Sequence, residues 1–323
     1  MTEPDIADGA AAPVDHERTA ELLMAELPAP RFADGRFLAW LYDENPYGQG
    51  IHEAIDDPEQ GGLRVAHYGL IPQEYRNADG PAKAVFSLNA VTRSGTQRKG
   101  YFSQIGSRIW RRAAEGGTQF VVGVTNDRSR RPVMRLGWRW VGRMPVLVVP
   151  PVPAPANLRG GWERRRATTG WLASAEAAEW LGDLDERPVT GWVNRWTLDH
   201  LRWRLAWPGC GPYTVHRSDD LVAISTVEHQ GGVPVAVVLK LVPRPGAPST
   251  QSGRAALFEA CRAHRAPFAV YAGFNSQVVV RGVPAPDRAR PAPLNLMIYS
   301  LVPGVDQWDF EFDTFELLDM DGL

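Results

Sequence analysis

Between Lys83 and Trp138 two apolar runs flank a basic, glycine-bearing loop, and that order narrows the folds open to this chain. Ala84-Val85-Phe86-Ser87-Leu88-Asn89-Ala90-Val91 has the β-branched and aromatic content of a strand. Thr92 to Gly100 follows, with Arg93, Arg98 and Lys99 interleaved with Gly95 and Gly100. A helix is predicted from Tyr101, because Phe102, Ile105, Ile109 and Ala113 recur at steps of three and four while Arg108, Arg111 and Arg112 fall elsewhere. A second apolar strand, Phe120 to Val124, then ends in Thr125-Asn126. Amides at a helix N-terminus have no intrahelical partner and suit a pyrophosphate, and the glycines let backbone approach it closely. A solvated basic connection fits the same residues, so the loop alone does not decide its ligand.

The rest of the chain sets bounds. At 323 residues it is long for one core, and two domains are expected. A formal net charge of −2 gives no whole-chain case for nucleic acid or an anionic membrane. Cys210 and Cys261 sit in unrelated contexts, which argues against a disulfide framework and fits a reducing cytosol. No apolar run reaches bilayer-spanning length, and Met1 to Asp15 lacks the pattern of a signal peptide, so a cytoplasmic location is expected. The seven histidines show no ligand spacing such as His-x-x-x-His, so no metal is expected. Tryptophans interleaved with arginine (Trp162 to Arg166, Trp192 to Arg204) fit helix packing with snorkelling arginines better than base stacking.

Four segments follow. Residues 1–16 are small and acidic without periodicity, and a disordered N-terminus is expected. Residues 17–149 form the first domain, with a helix over Glu17 to Leu27, an aromatic segment Phe37 to Tyr42, a strand Leu63 to Ile71 stopped by Pro72, and an apolar strand Val141 to Val149. Residues 150–172 open on Pro150-Pro151-Val152-Pro153-Ala154-Pro155, whose stiff rings mark a linker. Residues 173–323 form the second domain, and its order echoes the first: an aromatic helix ending at Pro208, strands, a Gly/Ser/Thr loop, a helix from Arg254 and the strand Phe268 to Asn275. Two unrelated α+β domains would share such an order fairly often. The tail, Trp308 to Asp319, alternates aromatic and acidic residues as a half-buried edge strand does.

With these residues in view, the segment resembles the acyl-CoA-binding core of the GNAT acetyltransferase superfamily. That family carries a Gln/Arg-x-x-Gly-x-Gly/Ala loop after its fourth strand, then a strand ending near an Asn and a helix closing on a Leu-Gly-Phe-like triplet. Gln97-Arg98-Lys99-Gly100-Tyr101-Phe102, Asn126 and Leu136-Gly137-Trp138 stand at those places, with Phe102 in place of the final small residue. The resemblance covers Arg36 to Val149, and extends to the whole chain if the repeat is a second, degenerate GNAT-like unit. It implies an α+β (mixed α/β) fold in which a mixed sheet is flanked by helices. Trp40-x-Tyr42 followed by Asn45-Pro46-x-Gly48 further resembles a branch acting on amino groups of sugars and related small metabolites.

The chemistry so implied is transfer of an acyl group from acyl-CoA, acetyl-CoA first, to a primary amine of a small molecule, with neither nucleic acid nor membrane as partner. The backbone of Leu88, Asn89, Ala90 and Val91 would serve the pantetheine and thioester carbonyl. Gln97, Arg98, Lys99, Gly100, Tyr101, Phe102 and Asn126 complete the implied CoA site. His67, with an imidazole suited to neutral proton transfer, is the candidate base. Glu44 joins it as a candidate catalytic carboxylate, and Tyr42, Asp43 and Asn45 bound the implied acceptor site. The tyrosine that frequently serves the family as acid falls at Val133, so that acid is missing. The second domain's loop, Gly246 to Gly253, holds Pro248 and no positive charge before Arg254, and no CoA is expected there. Two alternatives stay open: a Fem-type transferase that takes its group from an aminoacyl-tRNA, and a GNAT-like binding module without activity.

Overall fold

The computed structural model describes residues 15–97, 99–151, 161–182, 184, 187–207, 211–248, 250–286 and 293–320. Most of the expected N-terminal tail, most of the proline run and Arg98 lie outside them.

The first half opens with helices α1 (His16–Glu26) and α2 (Arg36–Asp43) and antiparallel strands β1 (Ile51–Asp57), β2 (Leu63–Asn77) and β3 (Gly80–Thr92). Helix α3 (Tyr101–Glu115) leads to β4 (Phe120–Thr125), which lies parallel to β3, then α4 (Asp127–Arg135), β5 (Arg139–Arg143) and β6 (Val146–Val149). β2 runs on past Pro72, where the sequence predicted a stop. β1 accompanies β2 only as far as Leu70, so Pro72 has no ladder partner on that side to disappoint. β1 itself escaped the sequence reading because its Ile-His-Glu-Ala-Ile-Asp-Asp run is a half-buried edge with two adjacent acids.

The second half holds β7 (Glu163–Arg166), α5 (Thr169–Leu172), α6 (Ala175–Leu181), β8 (Val193–Asn194) and α7 (Leu198–Ala206). Strands β9 (Thr214–Arg217), β10 (Leu221–Gln230) and β11 (Val233–Pro243) form a second antiparallel meander, followed by the short β12 (Gln251–Ser252) and α8 (Arg254–His264). β13 (Ala269–Asn275) returns parallel to β11, as β4 does to β3. Then come β14 (Val278–Val279), β15 (Val283–Pro284), β16 (Asn295–Ser300) and β17 (Thr314–Glu316). The tail forms strand only at β17, and Trp308 is 67% exposed rather than half-buried.

The halves share their connectivity and also a detail. Between His67/Val91 and Gly69/Leu88, β3 has one residue more than β2. Between Ile224/Lys240 and Ser225/Val238, β11 likewise has one residue more than β10. Each third strand thus bulges near the point where it parts from its parallel neighbour.

Neither half completes its own sheet. The sequence read Val141 to Val149 as one strand, but it breaks at Met144-Pro145. β5 stays with the first sheet, and β6 crosses to lie antiparallel to β13, with β15 on its other side. β16 crosses the opposite way and lies between β4 and β5, antiparallel to both. A chain division at residue 150 therefore does not divide the sheets. One core is shared: Leu41, Trp40, Phe86 and Phe120 cluster with Trp196, Leu201, Leu205 and Phe310. Trp40 stacks on Trp203 with ring centres 4.5 Å apart, and the Trp203 indole donates to the Trp40 carbonyl (3.3 Å). Fully burying one such ring contributes about 2–3 kcal/mol, so these contacts fasten the halves firmly.

Candidate active site

The ladder between β3 and β4 is short: Ala84 to Ser87 pairs with Phe120 to Gly123, and beyond Ser87 the strands part. Leu88, Asn89, Ala90 and Val91 therefore have no strand partner on the β4 side, and Asn89 sits in the left-handed region at φ 51°. That bulge is held by side chains. The Asn89 carbonyl faces His67 Nδ1 (3.1 Å), and its amide donates to the Tyr42 hydroxyl (3.1 Å). Gly69 and Gly50 make room for Tyr42; a Cβ on Gly69 would meet its hydroxyl at 2.1 Å.

On the opposite face, α3 packs Ile105, Ile109 and Ala113 against Ala66, Tyr68 and Val85. Its N-terminus is set by Gly100 at φ 79°, and among the described residues no side chain caps its first turn. The loop before it turns at Gly95 (φ 87°), and Thr96 hydrogen-bonds through both N–H and hydroxyl to the Arg93 carbonyl. Ser94 donates to Glu26 of α1 through its amide and its hydroxyl (2.8 and 2.7 Å). Gln97 and Lys99 are exposed, the ammonium 4.0 Å from Asp57. Tyr101 and Phe102 are half-buried in the first turn, and Phe102 packs on Tyr68 at 5.2 Å.

The remaining predicted residues take varied places. His67 is 1% exposed, and burial pushes its imidazole down to about 3, so it is neutral and far from the ordinary value the sequence suggested. Its Nε2 is buried without a hydrogen-bond partner among the described residues. Glu44 is exposed at the end of α2. Asp43 binds His16 Nε2 at 2.9 Å. Tyr42 is fully buried, stacked on His52 with ring centres 4.3 Å apart. Asn45 spends its amide on structure, donating to the Pro72 carbonyl of β2 (3.0 Å) and accepting from Tyr47 N–H of its own turn (2.9 Å). Asn126 caps α4, its carbonyl accepting from Ser129 N–H (2.9 Å). Val133 is buried against the α3 face. His67, Tyr42, Asp43 and the bulge thus share one face and α3 packs on the other, while the loop before α3 reaches α1 on the first face through Ser94.

The sequence reading missed three participants. His16 and His52 join Tyr42 and His67 in one aromatic cluster, and burial pushes His52 down to about 4. Tyr68 is the third: its hydroxyl meets Ser87 Oγ (2.8 Å) at the fork of the strands and accepts from the Trp110 indole (3.3 Å). Burial pushes that phenol up to about 12, so it stays protonated. His16 lies far from the motif in sequence. Tyr68 was visible as a strand neighbour of His67, yet alternation puts it on the α3 face.

No family model matches the chain, and no curated protein matches it by sequence. Solved structures do match. A GCN5-related N-acetyltransferase from Anabaena variabilis aligns at TM-score 0.57 and 9% identity, over 88% of this chain and 70% of its own. The tandem GNAT protein from the clavulanic acid biosynthesis pathway aligns at TM-score 0.51 and 12% identity, over 91% and 98%. Saccharomyces cerevisiae N-myristoyltransferase with bound myristoyl-CoA aligns at TM-score 0.54 and 9% identity, over 92% and 83%. The chain has the GNAT fold, in two tandem units joined by strand exchange.

Proposed function

We propose that this protein is an acyl-CoA-dependent N-acyltransferase whose first unit moves an acyl group to a primary amine of a small molecule. The observation that carries the reading is the fork between β3 and β4, with unpaired strand on one side of it and the uncapped N-terminus of α3 beyond the loop. Acyl transfer needs a place for a polyanionic carrier, a donor for the thioester carbonyl, removal of the ammonium proton and return of a proton to sulfur. The first amides of α3, with Gln97 and Lys99, suit the pyrophosphate. The β4 side of the backbone from Leu88 to Val91 suits the pantetheine amides and the carbonyl oxygen. The amine then attacks the carbonyl carbon and the C–S bond breaks.

For the thiolate, the Tyr68–Ser87 hydroxyl pair at the fork offers a protonated donor in place of the one absent at Val133. On the other face, an amine enters beside the exposed Asp43 and Glu44, and water takes its proton, because buried His67 is held neutral. The measurement that tests the reading is a calorimetric titration of the full chain with acetyl-CoA and with CoA. One site per chain is expected. No heat with either at high concentration overturns it.

A further inference from the structure

We propose that His16, Asp43 and His52 form a binding site for one divalent transition-metal ion of the zinc class. One donor atom from each residue lies within 4.8 Å of the other two, and the three come from the first turn of α1, the end of α2 and β1. The donor set, two imidazoles and one carboxylate, selects borderline ions such as Zn²⁺, Co²⁺ and Ni²⁺ over Mg²⁺ or Ca²⁺, which take all-oxygen cages.

The rings stand at a suitable separation. His16 and His52 have centres 5.3 Å apart. Two imidazoles sharing one tetrahedral ion at Zn–N of about 2.0–2.1 Å place their centres roughly 5 Å apart. The ligands are also held before any ion arrives. Tyr42 backs the His52 ring at 4.3 Å, 6° from parallel, and Asp43 fixes His16 through Nε2 at 2.9 Å. That His16–Asp43 contact is where an ion would displace a shared proton.

A second observation is independent of this spacing. Among the described residues His52 Nδ1 is buried without a hydrogen-bond partner, a ring nitrogen left unsatisfied beside the pair; the unpartnered Nδ1 of His16 lies across its ring from the Nε2 that faces Asp43 and is not a ligand atom here. Entry is open, because the Asp43 side chain is 41% exposed. Bound there, the ion ties the N-terminal helix to α2 and to the edge strand, on the face that carries Tyr42 and His67. The spacing rule applied to the sequence misses such a site because it reads ligands within one element, and here 27 and 9 residues separate them.

The test uses the full chain after dialysis against a chelator. Zn²⁺ titration by calorimetry is expected to give one ion per chain and a higher melting temperature. Co²⁺ is expected to give the visible absorption of a four- or five-coordinate site, removed by one equivalent of Zn²⁺. His52→Ala should weaken Zn²⁺ by more than the ~100-fold that loss of a supporting contact costs. Asp43→Asn, at an exposed position, should weaken it as well while leaving the metal-free melting temperature unchanged. Absence of one-to-one Zn²⁺ binding overturns the proposal. So does equal affinity in the wild type and in Asp43→Asn, which would place the ion on other histidines.

Discussion

The two units begin from the same plan and treat the fork between their parallel strands in opposite ways. In the first, β3 bulges at Asn89 and its far end carries no partner toward β4. In the second, β11 and β13 pair at Ala236 to Val238 with Ala269 to Tyr271 and then part in the same manner, but the gap is filled. β17 enters it and pairs with β13 from Gly273 to Asn275, and Asn275 bridges to the Leu241 carbonyl at 2.8 Å. Gly273 permits this close approach, since a Cβ there would meet the Phe315 carbonyl at 2.3 Å. Lys240, just past the second bulge, is buried between Glu316 (3.2 Å) and Asp319 (2.6 Å). The loop that would have held an anion is instead pinned as β12 against β14. One fork has no strand in it among the described residues, and the other is occupied by the protein's own backbone and charge.

The largest effect expected from breaking this contrast is at Lys240. Lys240→Met leaves two buried carboxylates without their cation, at a cost of about 3–5 kcal/mol read from denaturant unfolding. The first unit has no matching ion pair at its fork among the described residues, so no substitution at Ala90 or Val91 should approach that loss.

Gly100→Glu sharpens the other side. It forces a non-glycine residue into φ 79° and places a negative charge at the α3 N-terminus. Acetyl-CoA affinity should fall at least about tenfold, or 1.4 kcal/mol, with circular dichroism unchanged.

Acid should act on the second sheet and on the seam between the units, as it does on the first sheet through His67. His216 lies in β9, and His200 packs between Trp196 and Trp203 with ring centres 4.3 and 5.5 Å away. Burial pushes both imidazoles down to about 3. The folded state therefore binds fewer protons than the unfolded chain. Stability is full above the unfolded value near 6.5 and falls as pH drops below it. From there to pH 5, each histidine should cost about 2 kcal/mol, measured by unfolding at stepped pH.

The smallest difference is between the two strand-end asparagines. Asn126→Ala removes a helix cap worth about 1 kcal/mol. Asn275→Ala removes the contacts to Gln277 and Val278 amides as well as the bridge to Leu241, and should cost roughly twice as much.

Much of the first unit could be read from sequence because its signals are local. The period of α3, the Gly100 start and the strand end at Asn126 each involve a few consecutive residues, whereas the cap that Asn126 gives α4 was not read. The repeat was visible for the same reason, and the lack of charge before Arg254 pointed toward a loop put to another use. What escaped were the contacts of high sequence separation. Nothing near Pro145 announces that β6 belongs to another sheet, and nothing in Glu316 or Asp319 announces Lys240. His67 shows a subtler limit: its residue type suggested a neutral-pH base, while the burial that depresses it comes from packing under Tyr42.

The reciprocal placement of β6 and β16 also fixes the order in which the protein is able to finish folding. Roughly 150 residues separate β5 from β16, and at synthesis rates of about 5–20 residues per second that interval lasts about 8–30 s. Throughout it, β4 and β5 emerge with the strand that belongs between them not yet made, and β6 waits for a sheet that does not exist. The nascent first half therefore spends many seconds with two unpaired edges, a window in which a chaperone or a second nascent copy competes for the same backbone.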